Sequence, residues 1–132
     1  MSEEDERFIR SAYRRFNAGE RVPPADLWHA DGEYVNSRDD PDPDTHRGLD
    51  AVRRQFKSWV DTYPDLRVEP LEVLANEHRV FVWARWTGHA AGSGAPVEMT
   101  MAQVWTVDSG KIRRGEEYSD RGEALAATGL NG

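Results

Sequence analysis

The chain has 132 residues, no cysteine, and 24 acidic against 17 basic side chains, which gives a formal net charge of −7. An acidic chain without a basic run is not expected to bind nucleic acid or an anionic membrane surface, and the lack of thiols excludes disulfides and cysteine-based zinc sites. The acidic first residues do not resemble a signal sequence, and no stretch approaches the roughly 20 apolar residues of a membrane span. We therefore expect one cytoplasmic domain over residues 1–132.

The N-terminal half is dominated by helical patterns. Apolar residues at helical spacing predict two amphipathic helices, over residues 3–18 and from Leu49 to Thr62. Two prolines followed by Leu27 and Trp28 predict a further short helix over residues 23–28. A brief strand over residues 33–36 then leads into an Asp- and Pro-rich loop over residues 37–44.

The C-terminal half changes to the alternating pattern of strands. Four consecutive strands are predicted, over residues 65–75, 78–88, 97–107 and 111–119. The spacing of Asp120 and Glu123 predicts a capping box for a last helix, which Gly129 would end. Helices followed by a strand meander predict an α+β domain in which helices cover a curved, mostly antiparallel sheet and enclose a pocket.

The last predicted hairpin carries polar residues on strands that should be half-buried. Gln103 interrupts an apolar face, and the returning strand carries Glu117 on one face but Glu116, Tyr118 and Asp120 on the other. A single β-bulge would exchange these two faces. We place Glu117 inside, because Tyr118 suits an amphipathic position at a dimer surface and Asp120 has a helix to cap.

The expected pocket has an aromatic and thioether wall with few polar groups. We predict Arg85, Gln103 and Glu117 as its catalytic residues, with burial raising the pKa of Glu117 and Arg85 lowering it. The alternative for Arg85 and Glu117 is an ordinary cross-strand ion pair without catalysis. For Tyr13 the alternative to a ligand contact is a position in the core, and for His46 it is a position on the surface. The candidate ligand contacts are Tyr13, Trp28, His46, Phe56, Trp59, Trp83, Met101 and Trp105.

The spacing of the histidines and the second face of the sheet give expectations for metals and for partners. The four histidines show no recognised metal spacing, so we predict no metal and no cofactor. Trp86 and Val104 lie on strand faces opposite Arg85 and Gln103, which indicates a partly apolar second face of the sheet. We therefore expect a homodimer formed through the sheet, with a small hydrophobic molecule as the ligand.

Five segments in order resemble the SnoaL-like branch of the nuclear transport factor 2-like, ketosteroid isomerase-like superfamily. They are FNAGE from residue 16, LWHADGEY from 27, THRGLDAV from 45, WTVDSGKI from 105 and EYSD from 117. The resemblance implies a cone, in which a curved mixed sheet is wrapped by three helices around a deep pocket, as in a cystatin-like α+β barrel. Members include polyketide cyclases, epoxide hydrolases, ketosteroid isomerases and proteins without assigned chemistry, so the fold alone does not define a reaction.

Residue by residue, the resemblance is partial. In cyclases of this kind an acid/base carboxylate faces a histidine, and those positions resemble Glu117 and Gln103. The Asp–Arg–Asp set of the epoxide hydrolases corresponds to Glu117, Arg85 and Thr87, while the ketosteroid isomerase base falls near Ser37. The retained carboxylate and arginine favour an enzyme that performs cyclisation, isomerisation or epoxide opening on a ring-containing hydrophobe. The missing histidine favours a dimeric binding domain without catalysis.

Overall fold

The computed structural model describes residues 2–40 and 43–130. Its elements are α1 (Ser2–Asn17), β1 (Trp28–Val35), β2 (Thr45–Arg47), α2 (Leu49–Thr62), β3 (Arg67–Ala75), β4 (Arg79–His89), β5 (Pro96–Asp108), β6 (Lys111–Tyr118) and α3 (Arg121–Thr128). The strands form one curved, open sheet in the order β2-β1-β6-β5-β4-β3. Strands β1 and β6 run parallel and the other neighbours antiparallel. The predicted α+β class with a mixed, mostly antiparallel sheet is therefore confirmed.

Helices α1 and α2 pack on one face of the sheet, which we call the helix face. The apolar stripe of α1 contributes Ile9 and Tyr13, and α2 contributes Leu49 and Val52. They cover the alternate residues of β4 that include Trp86, together with Trp105 of β5 and Trp28 of β1. Because three of the four tryptophans in the strands lie on this face, the main core lies between the helix face and the two helices.

Helix α3 covers part of the opposite face, which we call the α3 face. The Asp120 side chain caps it by accepting a hydrogen bond from the Glu123 backbone N–H at 2.8 Å. Gly129 ends it in the left-handed conformation with φ 79°. Leu125 and Ala124 then bury Phe81 and Val104. Two helices thus belong to the N-terminal half, whereas the third is C-terminal and lies on the other face.

Three expectations for individual segments need correction. Residues 23–28 do not form a helix, because the chain turns there and Trp28 begins β1. Trp86 lies in the core of the helix face, and Val104 is covered by α3, so neither residue provides an exposed apolar face. The homodimer stays a prediction, but Trp86 and Val104 no longer support it.

Within the described residues, no helix has both the length and the apolar character that crossing a membrane requires.

A β-bulge in β6 decides which side chains reach the core. Val107 pairs with Ile112 and Thr106 with Arg114, so Arg113 is the extra residue. The bulge changes the alternation, and Ile112 therefore shares the helix face with Glu117, although the uninterrupted pattern places them on opposite faces.

Candidate functional site

Glu117 lies on the helix face and is 6% exposed. It pairs with Gln103 across β5 and β6. Tyr34, on the neighbouring strand β1, donates its hydroxyl to Glu117 Oε1 at 2.7 Å, and the Ser37 backbone N–H donates to Oε2 at 3.3 Å. The carboxylate is thus held by strands from both ends of the chain and by the loop after β1.

A chain of hydrogen bonds leads to this carboxylate, and we call its members Trp105, Tyr13, Gln103, Tyr34 and Glu117 the relay. Trp105 Nε1 donates to the Tyr13 hydroxyl at 2.8 Å, and that hydroxyl donates to Gln103 Oε1 at 2.6 Å. Gln103 Nε2 then donates to the Tyr34 hydroxyl at 2.7 Å. An indole N–H is only a donor, so it fixes the direction of every bond towards Glu117. The relay thereby leaves Glu117 as its final acceptor.

The pKa values of the ionisable relay members are shifted by burial and by their hydrogen bonds. Burial raises the pKa of Glu117, while hydrogen bonds from Tyr34 and Ser37 lower it, and the nearby Asp40 carboxylate raises it. Burial also raises the pKa of Tyr13 and the pKa of Tyr34 well above the usual value for tyrosine. Both tyrosines are therefore neutral donors, and Glu117 is the member whose protonation changes most readily.

Glu117 borders a cavity of about 420 Å³, which we call the Glu117 cavity. Its wall includes the aromatic rings of Trp59, Tyr63 and Trp86 and the thioether of Met101. A cavity with an apolar wall and a few polar groups is typical of a small-molecule site. The carboxylate therefore lies where it can contact a bound molecule.

A second and smaller space of about 60 Å³ lies between α1, α2 and the sheet, and we call it the aromatic cavity. Its wall contains the predicted contacts Tyr13, Trp28, Phe56 and Trp105, whose rings pack edge to face at 5.9–6.2 Å between centroids. Trp59 lines both cavities, as does Trp86. Of the predicted ligand contacts, Met101 and Trp59 thus border the Glu117 cavity, whereas these other four rings fill the core around the aromatic cavity.

Arg85 and Trp83 do not belong to the pocket. Arg85 pairs with Thr100 on the α3 face and is about half exposed, with Glu69 at 3.8 Å and Glu98 at 3.7 Å. Trp83 packs beside the α3 cluster. Gln103 pairs with Val82, so the face of β4 that lies beside Gln103 is the one that carries Val82. Arg85 lies on the other face of β4, where its guanidinium reaches solvent, because burying a guanidinium without a partner is costly. The prediction that Arg85 acts beside Glu117 as a catalytic residue is therefore wrong, and so is the alternative prediction of an ion pair between the two.

Replacing Arg85 by alanine is expected to have a small effect. Both of its ion pairs are long and solvent-exposed, and such pairs contribute about 0–1 kcal/mol. We expect the free energy of unfolding, measured by urea denaturation, to change by less than about 0.5 kcal/mol. Ligand affinity should also match that of the unsubstituted protein. A large loss of affinity would contradict the placement of Arg85 outside the site.

His46 reaches Glu117 only through another side chain. Its Nε2 lies 2.7 Å from Asn36 Oδ1, and Asn36 hydrogen-bonds Glu117, which lowers the pKa of that carboxyl. The imidazole is half-buried and lies in the wall of neither cavity. His46 is thus placed to orient Asn36.

Two residues that line or hold the candidate site were not predicted from the sequence. Tyr34 is a buried aromatic residue with a hydroxyl, which signals a hydrogen-bond partner inside the core. Trp86 follows Val80, Val82 and Ala84 on one face of β4, and this unbroken apolar alternation marks the core side. Trp86 Nε1 is buried and has no hydrogen-bond partner among the described residues. Such an unpaired donor costs about 1–3 kcal/mol.

The described residues offer no group of three or more histidine, aspartate and glutamate side chains that could hold a metal ion. The expectation that the protein uses neither a metal nor a cofactor stays a prediction from the sequence. The groups that surround Glu117 are carboxyl, hydroxyl, amide and indole groups, which can bind a ligand by hydrogen bonds and move a proton.

Known structures share the fold of this chain. Bal32a, from a soil-derived mobile gene cassette, is 20% identical over 88% of each chain with a TM-score of 0.77. A protein from Jannaschia sp. CCS1, assigned as a SnoaL-like polyketide cyclase, is 16% identical over 97% of this chain and 93% of its own, with a TM-score of 0.74. TerC, co-crystallised with polyporic acid, is 20% identical over 95% and 97%, with a TM-score of 0.73.

No curated protein sequence matches this chain. The model of the SnoaL-like domain matches residues 9–115. The match covers the second half of α1, all of α2 and most of the sheet, including Tyr13, Tyr34, Gln103 and Trp105 of the relay, and it ends two residues before Glu117. Since the matched segment spans most of the chain, the protein belongs to the SnoaL-like domain family.

Proposed function

We propose that the protein is a cofactor-independent enzyme that binds a hydrophobic, ring-containing molecule and transfers a proton by general acid–base catalysis. The observation that carries this proposal is the buried Glu117 carboxylate, held by Tyr34 at the wall of a cavity of about 420 Å³. Glu117 would act as the base. Tyr34 and Gln103 would orient it through the relay.

The reaction class depends on the groups that the site holds. An ionised Glu117 takes a proton from a carbon or oxygen atom of the substrate and becomes a neutral carboxylic acid. It then returns that proton to another atom of the same molecule, which balances an isomerisation or a ring closure. Epoxide opening has less support, because Arg85, which the resemblance implied for it, lies on the α3 face. The Jannaschia protein and the TerC complex support a small-molecule site in this fold.

A binding domain without catalysis is the second candidate. Gln103 is the observation that favours it, because an amide stands where the cyclase resemblance implies a titratable histidine. Tyr13 and Tyr34 do not supply a second proton carrier near neutral pH, since their pKa values are raised by burial. In this case Glu117 would only accept a hydrogen bond from the ligand.

Glu117→Gln distinguishes the two candidates. We expect ligands found by thermal shift among polycyclic ketones to exchange a carbon-bound proton with D₂O, as detected by NMR. The substitution should lower this rate about 10²–10⁴-fold, because a general base contributes that much. It should leave the affinity for these uncharged ketones within a few fold of the original value. Glu77→Gln, in the exposed turn before β4, is the matched control. Unchanged exchange in Glu117→Gln would refute the catalytic proposal.

The same variant also tests the raised pKa of Glu117. Because the pKa in the folded protein lies above the usual value for glutamate, protonation favours the folded state. The stability contributed by protonated Glu117 is complete below the unfolded-state pKa and is lost as pH rises through the folded-state pKa. We expect Glu117→Gln to become more stable than the unsubstituted protein above this range, by about 1.4 kcal/mol for each pH unit between the two pKa values. Urea denaturation over pH measures this difference.

A further inference from the structure

The wall of the Glu117 cavity carries negative charge only. In the part of the chain that the structure describes, Asp39, Asp40 and Glu117 line it, and no lysine, arginine or histidine does. Arg38 hydrogen-bonds Glu123 instead and is largely exposed. A bound anion would therefore meet carboxylates without a cation to neutralise it, whereas a bound cation would reduce the repulsion among them.

The rest of the wall also suits a cation. Trp59 and Trp86 pack edge to face at 5.3 Å between centroids, and both line the cavity beside Tyr63. The electron-rich faces of indole and phenol attract ammonium groups, most strongly where water is excluded. The polarisable thioether of Met101 and the exposed Met99 also line the cavity and add no positive charge. Charge and ring chemistry thus favour the same kind of ligand.

We propose that the molecule bound beside Glu117 is an organic cation, a ring-containing amine or quaternary ammonium compound, with its nitrogen between the carboxylate and the rings of Trp59 and Trp86. This inference rests on the proposed function in one respect, since it takes the Glu117 cavity as the substrate site. It adds the chemical class of the substrate. Glu117 contributes both the charge and the proton acceptor. The aromatic cavity, with a volume of about 60 Å³, is too small for such a molecule, whereas the Glu117 cavity has a volume of about 420 Å³.

Three probes of nearly equal shape and different charge test the proposal. They are 3-hydroxyphenyltrimethylammonium, its neutral isostere 3-tert-butylphenol, and the anion 3-hydroxybenzenesulfonate. Indole N–H signals in a ¹⁵N-labelled sample report binding, because Trp59 and Trp86 are two of only five tryptophans. We expect the cation to bind at least about ten-fold more tightly than the neutral isostere. The largest shifts should appear at Trp59 and Trp86.

Glu117→Gln, which keeps the shape of the side chain, should remove most of the cation's advantage and leave the affinity for 3-tert-butylphenol unchanged. Glu77→Gln should bind all three probes as the unsubstituted protein does. Equal affinities, tighter binding of the sulfonate, absence of binding, or shifts confined to other tryptophans would each overturn the inference. Such results would not touch the acid–base proposal, which is judged by proton exchange in Glu117→Gln.

Discussion

Alanine at position 115 is expected to lower the free energy of unfolding by about 1–3 kcal/mol, because it overfills the core. A Cβ atom on Gly115 would lie 2.5 Å from Trp105 Cζ3 and 2.7 Å from Tyr34 Cδ1. Both rings are buried in the main core, so neither can move without displacing its neighbours. Urea denaturation measures the loss. The two displaced rings are also relay members, so ligand affinity should fall as well.

Gly122→Ala is the matched control for this substitution. A Cβ atom there meets the end of the Asp120 side chain at 3.2 Å, and Gly122 lies in α3, where alanine is the better helix former. We expect this variant to lose much less stability than Gly115→Ala, because the new Cβ meets only the capping Oδ2 atom of Asp120 and no buried ring. Full stability of Gly115→Ala would show that Trp105 and Tyr34 do not pack against β6 as described.

Tyr34→Phe is expected to have the next largest effect on the free energy of unfolding. The change removes one hydroxyl that serves two buried partners, because it donates to Glu117 and accepts from Gln103. Leaving buried polar groups unpaired costs about 1–3 kcal/mol. The hydrogen bond from Tyr34 lowers the pKa of Glu117, so its loss should raise that pKa further. The pH at which proton exchange reaches half its maximum should therefore increase.

Tyr118→Phe is the control, because it removes a tyrosine hydroxyl that also donates to a glutamate but in a more exposed environment. The Tyr118 hydroxyl donates to Glu116 Oε2 at 2.7 Å on the α3 face, where both residues are partly exposed. Water replaces a lost hydrogen bond there, so we expect a smaller loss of stability and an unchanged pH profile. Equal effects of the two substitutions would contradict a special role for the buried hydroxyl. Carbon-detected NMR titration of the glutamate carboxyl groups gives the pKa directly.

The sequence predicts elements well where one face is clearly apolar. Helix α2 occupies the predicted residues, and α3 begins at the predicted cap, because amphipathic spacing and capping are local signals. Strand β2 has three residues, too few for a recognisable alternation. The long strands β3 to β6 agree with prediction within two residues at either end.

The candidate site was harder to predict because β4 is covered on both faces. Phe81 packs under α3 while Val82 faces the helices, so apolar alternation does not show which face is the core. This ambiguity placed Arg85 and Trp83 inside and Trp86 outside. Tyr34 was missed for another reason, since its partners are remote in sequence and β1 begins earlier than its alternation suggested.

The relay also has a consequence for folding. Its hydrogen bonds join residues 83 and 90 positions apart, from Tyr34 to Glu117 and from Tyr13 to Gln103. Such contacts form only after long loops have closed, and they are typical of slowly folding domains. We therefore expect the candidate site to be completed late in folding, once β6 has paired with β1. A ligand that binds only the completed site will stabilise the whole domain by mass action, and ligand binding will report complete folding.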